Sequence, residues 1–389
     1  MKHEPRYRST KGANRIARSG LAPWLQVLFA AAVFGAVAAL FVWVLIPLSR
    51  SFLKGDQLFA SPTPLGVTAS PSPTAPPTPD PAAAHDLYGA DLTTAQTEIV
   101  VPEFQYLADV TVYGDSLVFA VGNYTTDGTA AFVRLCVYDV PTDTRTFLAL
   151  PLRYKSIRFP KMNERWIVYQ DAKANGGGRL VAWDRETQTE RELKTVHTGL
   201  VQMQLWGDTA VWMERTGQTR DKLFACDLNT GESVTLDWLD NSPYALSEPC
   251  FYEDTVVYVD AQGALVLWDL RSKEKQTLQT GTYVHDPKYN GELLAYLDGN
   301  HGEDTDLYLV RDGVPVCVAE SVVDFALGDG YLAYSRFEKN YVYFPETGAT
   351  FCCTRSNEKA MLLGAGGRYL LWMDVTWRDK DILEFMEVG

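Results

Sequence analysis

The stretch from Gly207 to Gly231 carries the pattern that decides the fold: GDTAVWMERTGQTRDKLFACDLNTG. A Gly-Asp turn leads into a short apolar run that ends near Trp212, and a second run ends at Asp227 in an Asp-Leu-Asn-Thr-Gly turn. Short apolar runs bounded by Gly, Asp and Asn are typical of β-strands joined by turns. The stretch therefore predicts two successive strands.

The first of these runs recurs throughout the chain beyond residue 96. Each copy ends on an aromatic residue, and successive aromatic anchors are 50, 43, 46, 38, 38 and 38 residues apart. The seven anchors are Phe119, Tyr169, Trp212, Tyr258, Tyr296, Tyr334 and Trp372. Strand repeats of this length are the signature of propeller blades. We predict an all-β, seven-bladed β-propeller over residues 97–389, with six blades plus an irregular segment as the alternative.

The last repeat lacks a fourth strand. It supplies an inner strand from Met361, the strand ending at Trp372 and a third strand at Asp381–Phe385, and the sequence ends at Gly389. The apolar run Thr97–Pro102 precedes the first repeat without belonging to it. We predict that this run completes the last blade, because pairing the open edge would close the ring. Pro102 is tolerable there because the strand lies at the edge of the sheet.

These repeats resemble the TolB-type propeller repeat, a WD-like blade. Its features are a turn, an Ile/Val-Val/Ala-Trp/Tyr strand and a strand that ends in Tyr/Trp-Asp-x-x-Thr/Ser-Gly. The resemblance covers about residues 105–389, and the Asp-x-x-Thr/Ser turn occurs in the first four blades at Asp139/Thr142, Asp184/Thr187, Asp227/Thr230 and Asp269/Ser272. It implies an extracytoplasmic propeller and says little about activity. We expect these Asp residues to cap their turns.

The amino-terminal region predicts a membrane anchor. No charged residue occurs from Trp24 to Leu48, and at about 1.5 Å per residue such a run crosses a bilayer core of about 30 Å. A cleaved signal peptide is the alternative, but its apolar region is shorter. Six Lys/Arg residues lie before Leu21, so the amino terminus is predicted to stay in the cytoplasm. We assign a basic tail to residues 1–20 and a single transmembrane helix to residues 21–49.

The segment that follows is rich in proline, serine and threonine, as in SPTPLGVTASPSPTAPPTPDP from Ser61 to Pro81. Proline lacks a backbone donor and fixes φ, so an extended stalk is predicted over residues 50–96. The predicted location is therefore the cell membrane, with a single-pass anchor, a cytoplasmic amino terminus and an extracytoplasmic propeller.

The charge distribution limits the choice of partners. Residues 1–54 carry a local charge of +7, and because the whole chain carries −14, the remainder carries −21. A domain this acidic repels phosphate backbones, so nucleic acid is excluded as a partner. We expect the cytoplasmic membrane as partner of the anchor, and an extracytoplasmic protein, peptide or glycan as partner of the propeller.

Carboxylates recur at two register positions that share one mouth of the channel, because the inner and second strands of a blade run antiparallel. Ten residues before the anchor, at the start of the inner strand, lie Asp109, Glu248, Asp286 and Asp324. Two residues after the anchor, at the end of the second strand, lie Asp171, Glu214, Asp260, Asp298 and Asp374. These nine residues are our candidate ligand-binding ring. The alternative is structural, since such carboxylates also accept backbone N–H bonds in adjacent turns.

No catalytic set stands out in the sequence. There is no G-x-S-x-G, H-E-x-x-H, phosphate-loop or dinucleotide motif. We predict no cofactor, although calcium is the cation that an oxygen-rich ring would suit. A binding or scaffolding module is the leading hypothesis, and an enzyme is less favoured. The alternative function is a hydrolase or lyase that acts on cell-wall polymer through the acidic mouth.

Overall fold

The computed structural model describes residues 96–99, 101–124, 130–214, 220–240, 247–278, 280–300, 304–355, 358–376 and 381–388. These residues form strands, turns and loops. Within them, no helix has the length and apolar character needed to span a bilayer. The predicted cytoplasmic tail and transmembrane helix, and the stalk up to residue 95, lie outside the described residues.

Seven four-stranded antiparallel sheets follow one another along the chain. The first three blades contain β2 (Tyr106–Tyr113), β3 (Ser116–Tyr124), β4 (Ala130–Asp139) and β5 (Thr144–Leu148); β6 (Ile157–Met162), β7 (Trp166–Ala172), β8 (Gly178–Asp184) and β9 (Thr189–Val196); and β10 (Met203–Trp206), β11 (Thr209–Glu214), β12 (Arg220–Asp227) and β13 (Ser233–Asp240).

The next three blades contain β14 (Cys250–Tyr252), β15 (Thr255–Val259), β16 (Leu265–Asp269) and β17 (Lys275–Leu278); β18 (Val284–Tyr289), β19 (Leu294–Asn300), β20 (Asp304–Arg311) and β21 (Val314–Ala319); and β22 (Asp324–Gly328), β23 (Tyr331–Arg336), β24 (Lys339–Phe344) and β25 (Ala349–Cys352). The seventh blade contains β26 (Ala360–Gly366), β27 (Tyr369–Asp374), β28 (Ile382–Glu387) and β1 (Thr97–Ile99). The prediction of seven blades is confirmed, and the six-bladed alternative is excluded.

The ring closes as the sequence predicts. Strand β1 pairs with β28, with Thr97 opposite Phe385 and Ile99 opposite Leu383. Ile99 is buried, so the closing strand contributes to the core as well as to the sheet. The strand is shorter than expected, because it ends at Ile99 and Pro102 lies in the turn that follows. The edge-strand argument for Pro102 is therefore not needed.

Hydrophobic clusters join each pair of neighbouring blades. One cluster contains Val118 and Tyr169 of the first two blades, and another packs Phe119 of the first blade against Leu371 of the seventh. All seven aromatic anchors are buried. Because both faces of a blade are covered by its neighbours, the second strands show continuous apolar runs instead of alternating polar residues.

The Asp-x-x-Thr/Ser turns of the first four blades are capped as predicted. In each turn the backbone N–H of the Thr or Ser donates to the Asp carboxylate, over 3.0 Å from Thr142 to Asp139, 3.0 Å from Thr187 to Asp184, 3.1 Å from Thr230 to Asp227 and 2.7 Å from Ser272 to Asp269. These hydrogen bonds favour the ionised form, which lowers the pKa of Asp184 and Asp269.

Candidate functional site

The inner strands surround a central channel. Neighbouring inner strands contact one another in the cyclic order β2, β6, β10, β14, β18, β22, β26 and back to β2. The antiparallel pairing brings the end of each second strand beside the start of its inner strand, as Asp171 pairs with Ile157 and Asp298 with Val284. The structure therefore places both predicted sets of carboxylates at the same end of the blades, which we call the acidic mouth.

The carboxylates at the ends of the second strands hold nearby loops. Asp298 accepts the backbone N–H of Tyr283 at 2.7 Å, in the loop that leads into β18. Asp260 accepts two N–H groups within its own turn, and Asp374 accepts the N–H of Thr376 at 2.8 Å. Glu214 pairs with Lys194, over 2.8 Å. The structural alternative thus describes Asp298, Asp260 and Asp374, whereas Glu214 is held by an ion pair with the neighbouring blade.

Asp171 is the most strongly held member of the ring. Its fully buried carboxylate accepts the backbone N–H of Arg153 at 2.6 Å and of Tyr154 at 2.9 Å. It also accepts Arg179 Nε at 2.9 Å, and the same guanidinium binds Glu190 through two further hydrogen bonds. Burial disfavours the charged guanidinium, but the hydrogen bonds and charges of Glu190 and Asp171 outweigh it and raise the pKa of Arg179. This network fixes the loop between the first and second blades.

Asp109 connects two blades across the channel wall. It lies in a β-bulge of β2 with φ at 56°, a conformation that Asp adopts more readily than most residues. Its carboxylate accepts Arg158 Nε at 2.6 Å and the backbone N–H of Phe159 at 2.9 Å, both in the second blade. The side chain is 11% exposed. Asp109 is therefore largely satisfied within the protein.

Asp286 and Asp324 are held more loosely. The Asp324 side chain is 51% exposed, pairs with Lys288 at 3.2 Å and accepts the backbone N–H of its neighbour Phe325 at 2.7 Å. Asp286 occupies a β-bulge with φ at 48°, and its backbone N–H donates to the Ser247 hydroxyl of the preceding blade. The side chain of Glu248, next to Ser247, is partly buried. Asp286 and Asp324 are the members of the ring with the most capacity to meet a partner.

Sequence reasoning missed a second ring, which lies deeper in the channel. Strand pairing places one residue of each inner strand opposite the residue before the anchor: Thr111, Lys161, Gln204, Cys250, Lys288, Ala326 and Gly364. Each lies eight residues before its anchor, so the same register that revealed the carboxylates could have revealed this ring. It introduces two lysines beneath the acidic mouth.

The charges of the deeper ring differ from those of the mouth. Burial lowers the pKa of Lys161, and the nearby positive charge of Lys288 acts in the same direction, while Cys250 and Asp109 oppose it. Burial raises the pKa of the Cys250 thiol, whose sulfur lies 3.2 Å from the backbone nitrogen of Tyr289. The channel therefore has an acidic mouth and, beneath it, the deeper ring with its two lysines, which we also call the cationic level.

A metal centre has no direct support from the geometry. Among the described residues, no three Asp, Glu, His or Cys side chains lie close enough together to hold one metal ion. Calcium binding at the acidic mouth stays a prediction from composition.

The comparisons with known proteins define the class of the molecule. No protein-family model matches the chain, and no curated protein matches it. Among solved structures, the β-propeller domain of the Trilobed protease from Pyrococcus furiosus aligns with a TM-score of 0.57 at 12% identity, over 74% of this chain and 94% of that one. That domain is described as having an open velcro topology, whereas here β1 closes the ring.

Two further structures are similar at the same level. The acylaminoacyl peptidase of Pyrococcus horikoshii aligns with a TM-score of 0.54 at 12% identity, over 74% of this chain and 53% of that one. The oligogalacturonate lyase of Vibrio parahaemolyticus aligns with a TM-score of 0.51 at 13% identity, over 76% of this chain and 96% of that one. Identities this low show the fold alone. The chain is a seven-bladed β-propeller protein with distant structural neighbours that include peptidases and lyases.

Proposed function

We propose that the chain is a membrane-anchored binding protein whose extracytoplasmic propeller captures a partner at the acidic mouth. The proposed anchor rests on the uncharged run from Trp24 to Leu48 and on the basic residues that precede it. The Pro-rich stalk would then set the distance between the bilayer and the propeller.

The observation that carries the proposal is the difference in how the carboxylates of the mouth are held. Asp171 and Asp298 are engaged with backbone N–H groups, which explains their presence without any ligand. Asp324 is half-exposed, it accepts only the N–H of its sequence neighbour Phe325 among the backbone groups of the described residues, and its ion pair with Lys288 is of the exposed type that contributes little to stability. A carboxylate that adds little to stability and faces a concave opening is suited to an external partner.

The charge of the domain favours a cationic partner. With −17 over residues 97–389, the propeller attracts positively charged groups over distances up to a Debye length of about 8 Å and beyond at low salt. A protein or peptide with exposed Lys or Arg side chains fits this field better than a neutral glycan does. Binding to a glycan would depend on hydroxyl contacts instead of charge, and salt dependence distinguishes the two.

The test uses the full chain with substitutions at the two loosely held carboxylates, Asp286→Asn and Asp324→Asn together. Asn tolerates the positive φ of position 286, so the fold should be retained. We expect the double variant to bind a Lys-rich peptide at least tenfold more weakly than the unsubstituted protein at 50 mM salt, measured by calorimetry. Asp329→Asn is the matched control, because Asp329 directly follows the same strand, β22, at its opposite end.

Two outcomes would contradict the proposal. Equal peptide binding by the double variant and the control would show that the acidic mouth is not the binding surface. Cleavage of purified cell-wall polymer by the unsubstituted protein, abolished in the double variant while the melting temperature is unchanged, would favour the hydrolase or lyase alternative. Circular dichroism of each variant establishes that the fold is intact.

A further inference from the structure

The deeper ring of the channel contains a charge that the protein leaves largely unmatched. Lys161 lies in β6 and is partly buried. Among the described residues, the hydrogen-bond partner of its ammonium is Thr111 Oγ1, at 3.3 Å, and no carboxylate oxygen lies within ion-pair distance. An ammonium has three donors, so two remain available. Burying a cation without a counter-ion is costly, and groups in such surroundings are concentrated at functional sites.

Lys288 projects from the fifth blade at the same level. Its ammonium contacts the Asp324 carboxylate at 3.2 Å and the carbonyl oxygen of Phe325, and lies 4.5 Å from the centre of the Phe325 ring. Of the two lysines in the deeper ring, Lys288 is neutralised by Asp324. The positive charge that has no paired carboxylate among the described residues is therefore that of Lys161. The lowered pKa of Lys161, caused first by burial, is consistent with this imbalance.

The same level has room for a small group. The positions contributed by the sixth, seventh and first blades are Ala326, Gly364 and Thr111, which all have small side chains. A methyl group placed on Gly364 would meet no described atom within 4 Å. Cys250 makes its own contacts with the backbone of Tyr289 and does not compete for the ammonium. The deeper ring therefore combines an available cation on the second blade with small side chains on the sixth, seventh and first blades.

We propose that this level binds the carboxylate of an amino-acid-like zwitterion, with Lys161 as its main ligand and Lys288 as the second. The inference rests on the proposed function of the acidic mouth, which would hold the ammonium group of the same ligand through Asp286 or Asp324. A dianion such as phosphate would have to pass a ring of carboxylates and would gain nothing from them. A molecule with a carboxylate inward and an ammonium outward is attracted at both levels.

The experiment uses the full chain and measures binding of L-lysine, acetate and inorganic phosphate by calorimetry. We expect L-lysine to bind best, acetate more weakly and phosphate least. Lys161→Met keeps the length of the side chain and removes its charge, and we expect it to weaken L-lysine binding at least tenfold. Lys161→Arg should recover part of the affinity. Lys155→Met is the matched control, because Lys155 is an exposed lysine in the loop before the same strand.

The results separate this inference from the proposed function. If Lys161→Met loses L-lysine binding but retains binding of the Lys-rich peptide at the mouth, both proposals stand. If the Asp286→Asn, Asp324→Asn variant loses the peptide while Lys161→Met binds every small ligand as the control does, the inner site is overturned and the acidic mouth is retained. Phosphate binding tighter than L-lysine binding would overturn the zwitterion. No binding of any of the three probes at 10 mM would also overturn it.

Discussion

Asp171 and Asp324 both belong to the acidic mouth, but their surroundings differ in nearly every respect. Asp171 is fully buried and accepts two backbone N–H groups and the Arg179 guanidinium. Asp324 is half-exposed and pairs with Lys288. The first residue fixes a loop between blades, whereas the second leaves a carboxylate at the channel opening. A repeated residue type at a repeated position therefore does not imply a single role.

The comparison extends to the two levels of the channel. At the mouth, most of the negative charge is matched by hydrogen bonds from the protein itself. One level deeper, the Lys161 ammonium has a single weak hydrogen bond among the described residues. The carboxylates that support the fold are thus matched by donors of the protein itself. The ammonium of Lys161, deeper in the channel, is left available. The following changes test that division, beginning with the residue expected to matter most for stability.

Replacing Asp171 should cause the largest loss. Asp171→Asn keeps the shape of the side chain but removes the charge that faces Arg179, and Asn presents an NH₂ group to donors that need an acceptor. Breaking a buried ion pair costs about 3–5 kcal/mol. We expect the free energy of unfolding to fall by about that amount, measured by urea unfolding followed by tryptophan fluorescence.

Asp260→Asn is the control for this change, because within the described part of the chain Asp260 accepts N–H groups of its own turn alone and is not paired with a buried cation. Its expected loss is about 1 kcal/mol. Equal losses for the two variants would mean that the Arg179 network contributes nothing beyond ordinary turn capping, and the distinction between the two kinds of carboxylate would fail.

Replacing Asp298 should have an intermediate and local effect. Its carboxylate accepts the Tyr283 N–H at 2.7 Å and the Thr282 N–H at 3.4 Å, which ties the loop before β18 to the end of β19. Asp298→Asn should lower the free energy of unfolding by about 1–2 kcal/mol. Amide hydrogen exchange at Thr282 and Tyr283 should become faster while exchange in β19 is unchanged. Unaltered exchange in the loop would show that the carboxylate does not hold it.

The sequence was sufficient for the features that depend on local pattern. Anchor spacing and turn capping at Asp184 and Asp227 follow from residues that are close in sequence. Closure by the run Thr97–Pro102 follows from the single unpaired strand, and the structure shows it with the shorter bounds Thr97–Ile99. These features repeat with the blade, so each copy supports the prediction for the others.

Contacts between blades could not be predicted in the same way. Asp109 meets Arg158 because β-bulges in β2 and β6 shift the register and turn these residues toward one another. Counting ten residues back from the anchor treats every inner strand as regular, and so predicts that Asp109, Asp286 and Asp324 occupy equivalent positions along the channel. In the structure Asp109 and Asp286 lie in β-bulges, whereas Asp324 pairs regularly with Ser335. The lowered pKa of Lys161 depends on burial and on the charge of Lys288, three blades away. A local sequence pattern cannot predict either of these.

The smallest expected effect concerns pH and tests the cationic level directly. The groups that face Lys161 are Lys288, Cys250 and Asp109. Because burial lowers the pKa of Lys161 in the folded state, the unfolded chain holds this proton more tightly, and stability should rise with pH from the folded pKa towards the ordinary lysine value.

Lys161→Met removes this contribution, so the stability of the unsubstituted protein should increase relative to the variant as pH rises towards the ordinary lysine pKa of about 10.4. At pH 7 the variant should be the more stable of the two by about 1 kcal/mol, since an uncompensated charge is no longer buried. The raised pKa of Cys250 acts in the opposite direction as pH rises, and the charge of Lys161 itself lowers that pKa, so both proteins are compared in a Cys250→Ala background, where the difference isolates the lysine. Urea unfolding at pH 7, 8, 9 and 10 measures it. A variant that is less stable than the unsubstituted protein at pH 7 would mean that the Lys161 ammonium supports the fold, and the channel would then have no charge reserved for a ligand.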